Sequence, residues 1–90
     1  ASGASYTLVS LSSGQTMSLG VGCEVLLRVG SASVQADSSP ALIDLSSGAT
    51  VNAGAALTKN HLYMATIEGR TLTASAPDVK LLVRGSYATA

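Results

Sequence analysis

Ninety residues carrying five basic and five acidic side chains make a single small domain, and at 11% charged residues most of its surface is uncharged. The even balance, with no basic run, excludes a nucleic-acid binder that works by neutralising phosphates. One Cys excludes an internal disulfide, and no apolar run approaches the 18 or so residues that would span a bilayer as a helix.

Residues 1–5, ASGAS, read as a flexible N-terminal arm, and residues 6–90 as the single domain. Strand signals come in order: Tyr6–Leu11, Thr16–Leu19, Glu24–Val29, Ser33–Ala36, Ala41–Leu45, Thr50–Ala53, His61–Ile67, Thr71–Ala74, Val79–Val83 and Ser86–Thr89. Each is a short run, most bounded by Gly, Ser, Asn or Pro. The only helical candidate is the short segment Gly54–Asn60.

The phrase Leu11-Ser12-Ser13-Gly14 returns as Leu45-Ser46-Ser47-Gly48, each followed two residues later by Thr, at Thr16 and Thr50. Ser-Ser-Gly ends one strand and turns the chain, with Gly free to take positive φ, and the Thr segment is the next strand. Gly30-Ser31, Gly69-Arg70 and Gly85-Ser86 also fall between strands and suit two-residue hairpin turns with Gly first. The expected fold is therefore all-β: a small antiparallel sandwich, jelly roll or barrel with two pseudo-repeated hairpin units.

Alternation along a strand sorts side chains between faces. In EVLLRV, Val25, Leu27 and Val29 form the inner set and Glu24, Leu26 and Arg28 the outer one. In VKLLVR, Val79, Leu81 and Val83 point inward while Lys80, Leu82 and Arg84 oppose them. Two outer faces that pair Leu with Arg, on a chain so poor in charge, fit either an ordinary surface whose Arg stems shield single leucines or a surface covered by a partner. The residues expected to face a neighbour are Tyr6, Val9, Leu26, Arg28, Leu82, Arg84 and Tyr87.

Reactive constellations are sparse. One His and one Cys, far apart, give no metal-ligand spacing, and neither a nucleophile elbow nor a phosphate loop occurs. Cys23 reads as a buried structural thiol and His61 as a side chain at a strand start. Asp44 reads as an acceptor for the following Ser-Ser-Gly turn. No catalytic residue, cofactor or metal is assigned, and the protein is expected not to be an enzyme.

The segments GQTMSLGVGCEVLLRVGSASV, NHLYMATIEGRTLTA and VKLLVRGSY give the chain, over about Tyr6 to Tyr87, a family likeness. It resembles a short β-rich module of uncharacterised exported or cell-envelope proteins of Firmicutes. That resemblance implies an extracellular or cell-surface location and brings no activity with it.

The expected function is a structural subunit that assembles with copies of itself through strands and apolar contacts, as an extracellular filament, appendage or surface lattice. A virion decoration or tail protein belongs to the same class. The contrasting expectation is a monomeric module of a surface protein, holding a glycan or peptide through Tyr63, Tyr87, Arg28 and Arg84.

Overall fold

The computed structural model describes residues 5–35 and 42–90, and within them the chain is all strand, turn and loop. Ten strands form: β1 (Thr7–Leu11), β2 (Thr16–Leu19), β3 (Glu24–Val29), β4 (Ala32–Gln35), β5 (Leu42–Asp44), β6 (Thr50–Val51), β7 (Leu62–Ala65), β8 (Arg70–Ala74), β9 (Val79–Arg84) and β10 (Tyr87–Thr89). Each expected strand has a counterpart, though Ala36, Ala41 and most of the expected arm lie outside the described residues. Among the described residues no helix is long and apolar enough to cross a membrane. Gly54–Asn60 does not become a helix. It runs extended beside β4, bridging Ala56 to Ser33, and turns at Asn60 with φ of 66°.

Six strands form one sheet in the order β1-β9-β3-β7-β5-β6, and four form a second in the order β10-β2-β8-β4. All pairs are antiparallel. The sheets pack as an open sandwich and do not close into a barrel. Their topology is a nest: Thr7 pairs with Val83, Thr16 with Thr73, Glu24 with Met64, and Ser33 with Ala56. The two arms of the chain thus advance nearly in step, as one long hairpin wrapped alternately through both sheets. This is the pairing scheme of a jelly roll. The hairpin β5–β6 is set into its tip and extends the six-stranded sheet.

That nesting corrects the reading of the turns. Gly30-Ser31, Gly69-Arg70 and Gly85-Ser86 do turn the chain, and all three glycines have positive φ. The strands they join (β3 and β4, β7 and β8, β9 and β10) nevertheless lie in opposite sheets, so none is a hairpin turn. The repeated phrase divides the same way. Its second copy closes the β5–β6 hairpin, with the Gly48 N–H returning to the Asp44 carbonyl. Its first copy carries the chain from β1 across to β2, and the Gly14 N–H bonds the Ala74 carbonyl at the end of β8.

Alternation builds the core. Val25, Leu27, Val79, Leu81 and Val83 from the larger sheet meet Met17, Leu19, Val34 and Leu72 from the smaller, all below 2% exposure. Each such burial contributes about 1.5–3 kcal/mol. Val29 leaves this set: the register against β9 shifts between Leu27 and Val29, and the bulge turns Val29 outward to 38% exposure.

Two glycines do different work at the turns. At Gly30, with φ of 80°, an added Cβ would lie 2.4 Å from the Asp78 carbonyl oxygen, whereas at Gly48, with φ of 79°, it would meet open space. Gly48→Ala should cost only the left-handed backbone penalty, about 1–2 kcal/mol. Gly30→Ala should cost clearly more, because backbone must also move. Urea unfolding midpoints of the two variants, compared with the parent, check this order.

Candidate functional site

Register along the larger sheet sets its outward side chains in lines across the strands. Leu8 pairs with Leu82, Leu82 with Leu26, and Leu26 with Leu62. The line ends at Leu45, whose N–H bonds the Leu62 carbonyl at 2.7 Å. These leucines form an unbroken row across the outer face. Its ends are the most open, Leu8 at 58% and Leu45 at 43% exposure, and its middle is half-buried between neighbours.

On one flank of this row lies a second line: Arg84, Glu24, Met64, Ile43 and Thr50, paired strand to strand. Tyr6 stands at its end. The Tyr6 hydroxyl donates to Glu24 Oε1 at 2.9 Å, and the Arg84 guanidinium sits 4.9 Å from the centre of the Tyr6 ring. Arg84 Nη2 also donates to Glu24 Oε1. The bond to the Glu24 carboxylate holds the Tyr6 hydroxyl above its ordinary pKa, helped by desolvation. The other flank carries Ser10, Lys80 and, at the bulge, Arg28 and Val29. Lys80 Nζ lies 3.2 Å from Asp78 Oδ1. The leucine row is thus flanked by lines that mix charged and polar groups with apolar ones, Met64 and Ile43 on one side and Val29 on the other.

Four of the residues expected to face a neighbour, Tyr6, Leu26, Leu82 and Arg84, meet on this one surface, and Arg28 lies at its rim. Because β3 and β9 are adjacent, the two expected Leu–Arg faces are one. Val9 corrects the expectation: it points inward and is buried at 8% exposure. It stands three residues from Tyr6, so alternation alone sends the two to opposite faces. Tyr87 lies in the other sheet opposite Leu19 and packs half-buried against the core. Leu8, Leu45 and Leu62 were missed. The alternation of Tyr6, Leu8 and Ser10 signals the first, but only the strand order aligns the others.

The opposite outer face differs in kind. Across the smaller sheet, Thr16, Thr73 and Ser33 form one line, and Ala88, Ser18, Thr71 and Gln35 another. Small, mostly hydroxyl side chains make up these lines, and none of them is charged.

Two other places hold titratable groups. Asp44, buried on the inner side of β5, accepts from the Ser46 N–H at 2.8 Å, as its position before the Ser-Ser-Gly turn implied. It also lies 2.8 Å from His61 Nδ1, a contact the sequence did not show. His61 stacks on Tyr63, and Ser46 Oγ accepts from the Leu62 N–H, so these groups tie the β5–β6 hairpin to β7. A catalytic triad needs a hydroxyl at the far nitrogen of the imidazole. Here Ser46 and Ser47 stand on the carboxylate side and are engaged with backbone N–H groups. The second place is a shallow recess of about 140 Å³ at one end of the sandwich, bordered by Gly20, Glu68, Ser86 and Tyr87. The Val21 N–H donates to Glu68 Oε1 there at 3.1 Å.

Cys23 is buried, and desolvation pushes its thiol up to about 11. Gly85 lies against its backbone, where an added Cβ would come within 3.0 Å of the Cys23 Cα. The residues expected to form a glycan or peptide site do not converge. Tyr63 is buried with its hydroxyl accepting from the Thr58 N–H at 2.7 Å, Arg84 is held by Glu24, and Tyr87 belongs to the other sheet. Among the described residues, no three His, Cys, Asp or Glu side chains group as metal ligands would.

No protein-family model, curated protein or solved structure matches the chain.

The Asp44 contact carries a pH signature. The His61 hydrogen bond, foremost, and the turn N–H hold its carboxyl below the ordinary 3.8 against the opposing desolvation. A depressed folded-state pKa contributes stability that is fully present above the unfolded value and lost as pH falls through the folded one. Asp44→Asn should therefore lower the melting temperature at neutral pH, with the gap to the parent closing below about pH 4. Thermal unfolding of both proteins between neutral pH and strong acid measures that gap.

Proposed function

We propose that this chain is a non-enzymatic structural subunit, and that it assembles by laying the leucine-lined face of one copy on that of another. The observation that carries this reading is the unbroken leucine row on the outside of the larger sheet. Scattered exposed leucines need no explanation, but a contiguous apolar line across four adjacent strands does.

A second copy is the natural cover. A twofold axis along the row lays each leucine on its equivalent and sets the Glu24 flank of one copy over the Arg28 flank of the other. Glu24 and Arg84 enter the contact already paired with each other, so little uncompensated charge is desolvated. The hydroxyl-covered face of the smaller sheet stays in water. Six strands about 4.8 Å apart and averaging about four residues present roughly 400 Å² in projection. Stable interfaces cover about 800 Å² of accessible surface per partner, so this contact is of modest strength and suits a subunit held by more than one neighbour.

A filament, appendage or surface lattice outside the cell is the setting consistent with this reading and with the resemblance to envelope proteins; a virion is the alternative setting.

Leu26 sits at the centre of the row, and Leu26→Glu places a charge there. It should weaken the face contact by on the order of 100-fold, as loss of a central anchor does. Thr73→Glu, on the hydroxyl face, should leave assembly unchanged. Sedimentation velocity across a concentration series reads both. A parent chain that stays monomeric at the highest concentration, or equal assembly by the Leu26→Glu variant, would overturn the proposal.

A further inference from the structure

The two sheets end in four edges, and three of them are guarded. The β6 edge is two residues long and the β10 edge three. The β4 edge is covered by the passing chain: Val34 N–H bonds the Ala55 carbonyl, and Leu57 N–H the Ala32 carbonyl, both at 2.9 Å. These are the devices by which sheets avoid unwanted pairing.

Among the described residues, the β1 edge has none of them. It is five residues long, Thr-Leu-Val-Ser-Leu, with no charge, Pro or Gly. It pairs with β9 through five consecutive residues without a bulge, so it is regular to its end. Among the described residues no strand lies on its other side. Its outward Leu8 is the most exposed leucine of the row.

Building on the reading of the chain as a self-assembling subunit, we propose that β1 pairs antiparallel with β1 of a second copy about a twofold axis. The strand is its own complement: two uncharged edges of equal length meet with no like charges opposed. Faces must match across the pair, so outward residues meet outward residues. The register that sets Leu8 beside Leu8 of the second copy carries the leucine row straight through the axis. Edge and face are separate surfaces, one in the plane of the sheet and one normal to it. A copy joined through its edge still offers its face, and the two axes, one along the row and one normal to the sheet, together make a closed tetramer from two such dimers.

The test separates the edge from the face. Thr7 is exposed on β1, and Thr7→Lys adds the kind of charge that natural edges use for protection. Sedimentation velocity on the full chain should show higher assemblies for the parent, dimers for Leu26→Glu, and monomers for the Leu26→Glu, Thr7→Lys double variant. Circular dichroism confirms that each is folded. Amide hydrogen exchange gives a second readout that needs no double variant. In Leu26→Glu, protection in Thr7–Leu11 should rise at least tenfold between dilute and concentrated protein. A parent that assembles while Leu26→Glu is wholly monomeric, with β1 exchange independent of concentration, overturns the edge pairing and leaves the face contact standing. A parent that never assembles overturns both.

Discussion

Register between β1, β9 and β3 is the constraint on which the rest of the molecule depends. These strands lie side by side, and every side chain on them belongs to one of two surfaces. In the observed register Val25, Leu27, Leu81, Val83 and Val9 fill the core, and Leu8, Leu82 and Leu26 line the outer face. A slip of one residue in any strand would exchange those sets. Several contacts hold the register in place. Tyr6, Arg84 and Glu24 join all three strands at one end of the sheet. Gly30 fits against the Asp78 carbonyl at the other end, where a larger residue would collide with backbone, and Gly85 packs closely against Cys23 at the first. The core and the leucine row are therefore two outcomes of one alignment.

The strands were legible because their signals are local. A period of two and flanking Gly, Ser or Asn suffice to place Thr16–Leu19 or Glu24–Val29. Pairing is not local, and there the sequence misleads. Gly at positive φ reports that the chain turns at Gly30, Gly69 and Gly85, but it does not report which sheet the next strand joins. The repeated Leu-Ser-Ser-Gly phrase shows the same limit, since one copy closes a hairpin and the other crosses the sandwich. The partner that each turn finds decides between the two. After Gly48 the Ala49 carbonyl folds back to the Asp44 N–H, while after Gly14 the chain finds the end of β8. The bulge at Arg28 and Val29 is equally invisible in EVLLRV, because nothing in the alternation marks where a ladder gains a residue. The face itself was half legible: Leu26 and Leu82 emerge from alternation, whereas their alignment with Leu62 and Leu45 needs the strand order.

The composition also becomes intelligible once the two outer faces are compared. One sheet turns leucines outward and the other turns Thr and Ser outward, so the sandwich is two-sided by chemistry as well as by layers. Several of the few charged groups are engaged with nearby groups. Glu24 holds Arg84 and Tyr6, Asp44 holds His61 and a turn, Asp78 lies beside Lys80, and Glu68 accepts from the Val21 backbone. Charges used this way orient loops and strands while contributing little to a solvated, repelling surface.

That allocation bears on the energetics of association. An isolated charge on the leucine face would lose hydration on contact and oppose burial of its neighbours, whereas a pair that shares its hydrogen bonds before contact loses less. Arg84 in addition sits over the Tyr6 ring, so its guanidinium is already engaged on the protein and its stem can cover apolar surface. The row needs that help, because its middle leucines are half-buried by one another and each gains only part of the free energy of a full burial. A modest gain per leucine, repeated across the sheet and unopposed by lone charges at its centre, favours a contact that is reversible singly and durable when copies are held by several. On the proposed reading of copies that assemble, low charge, the regular β1 edge and the apolar face are linked features of one surface, because each lowers the cost of covering the others.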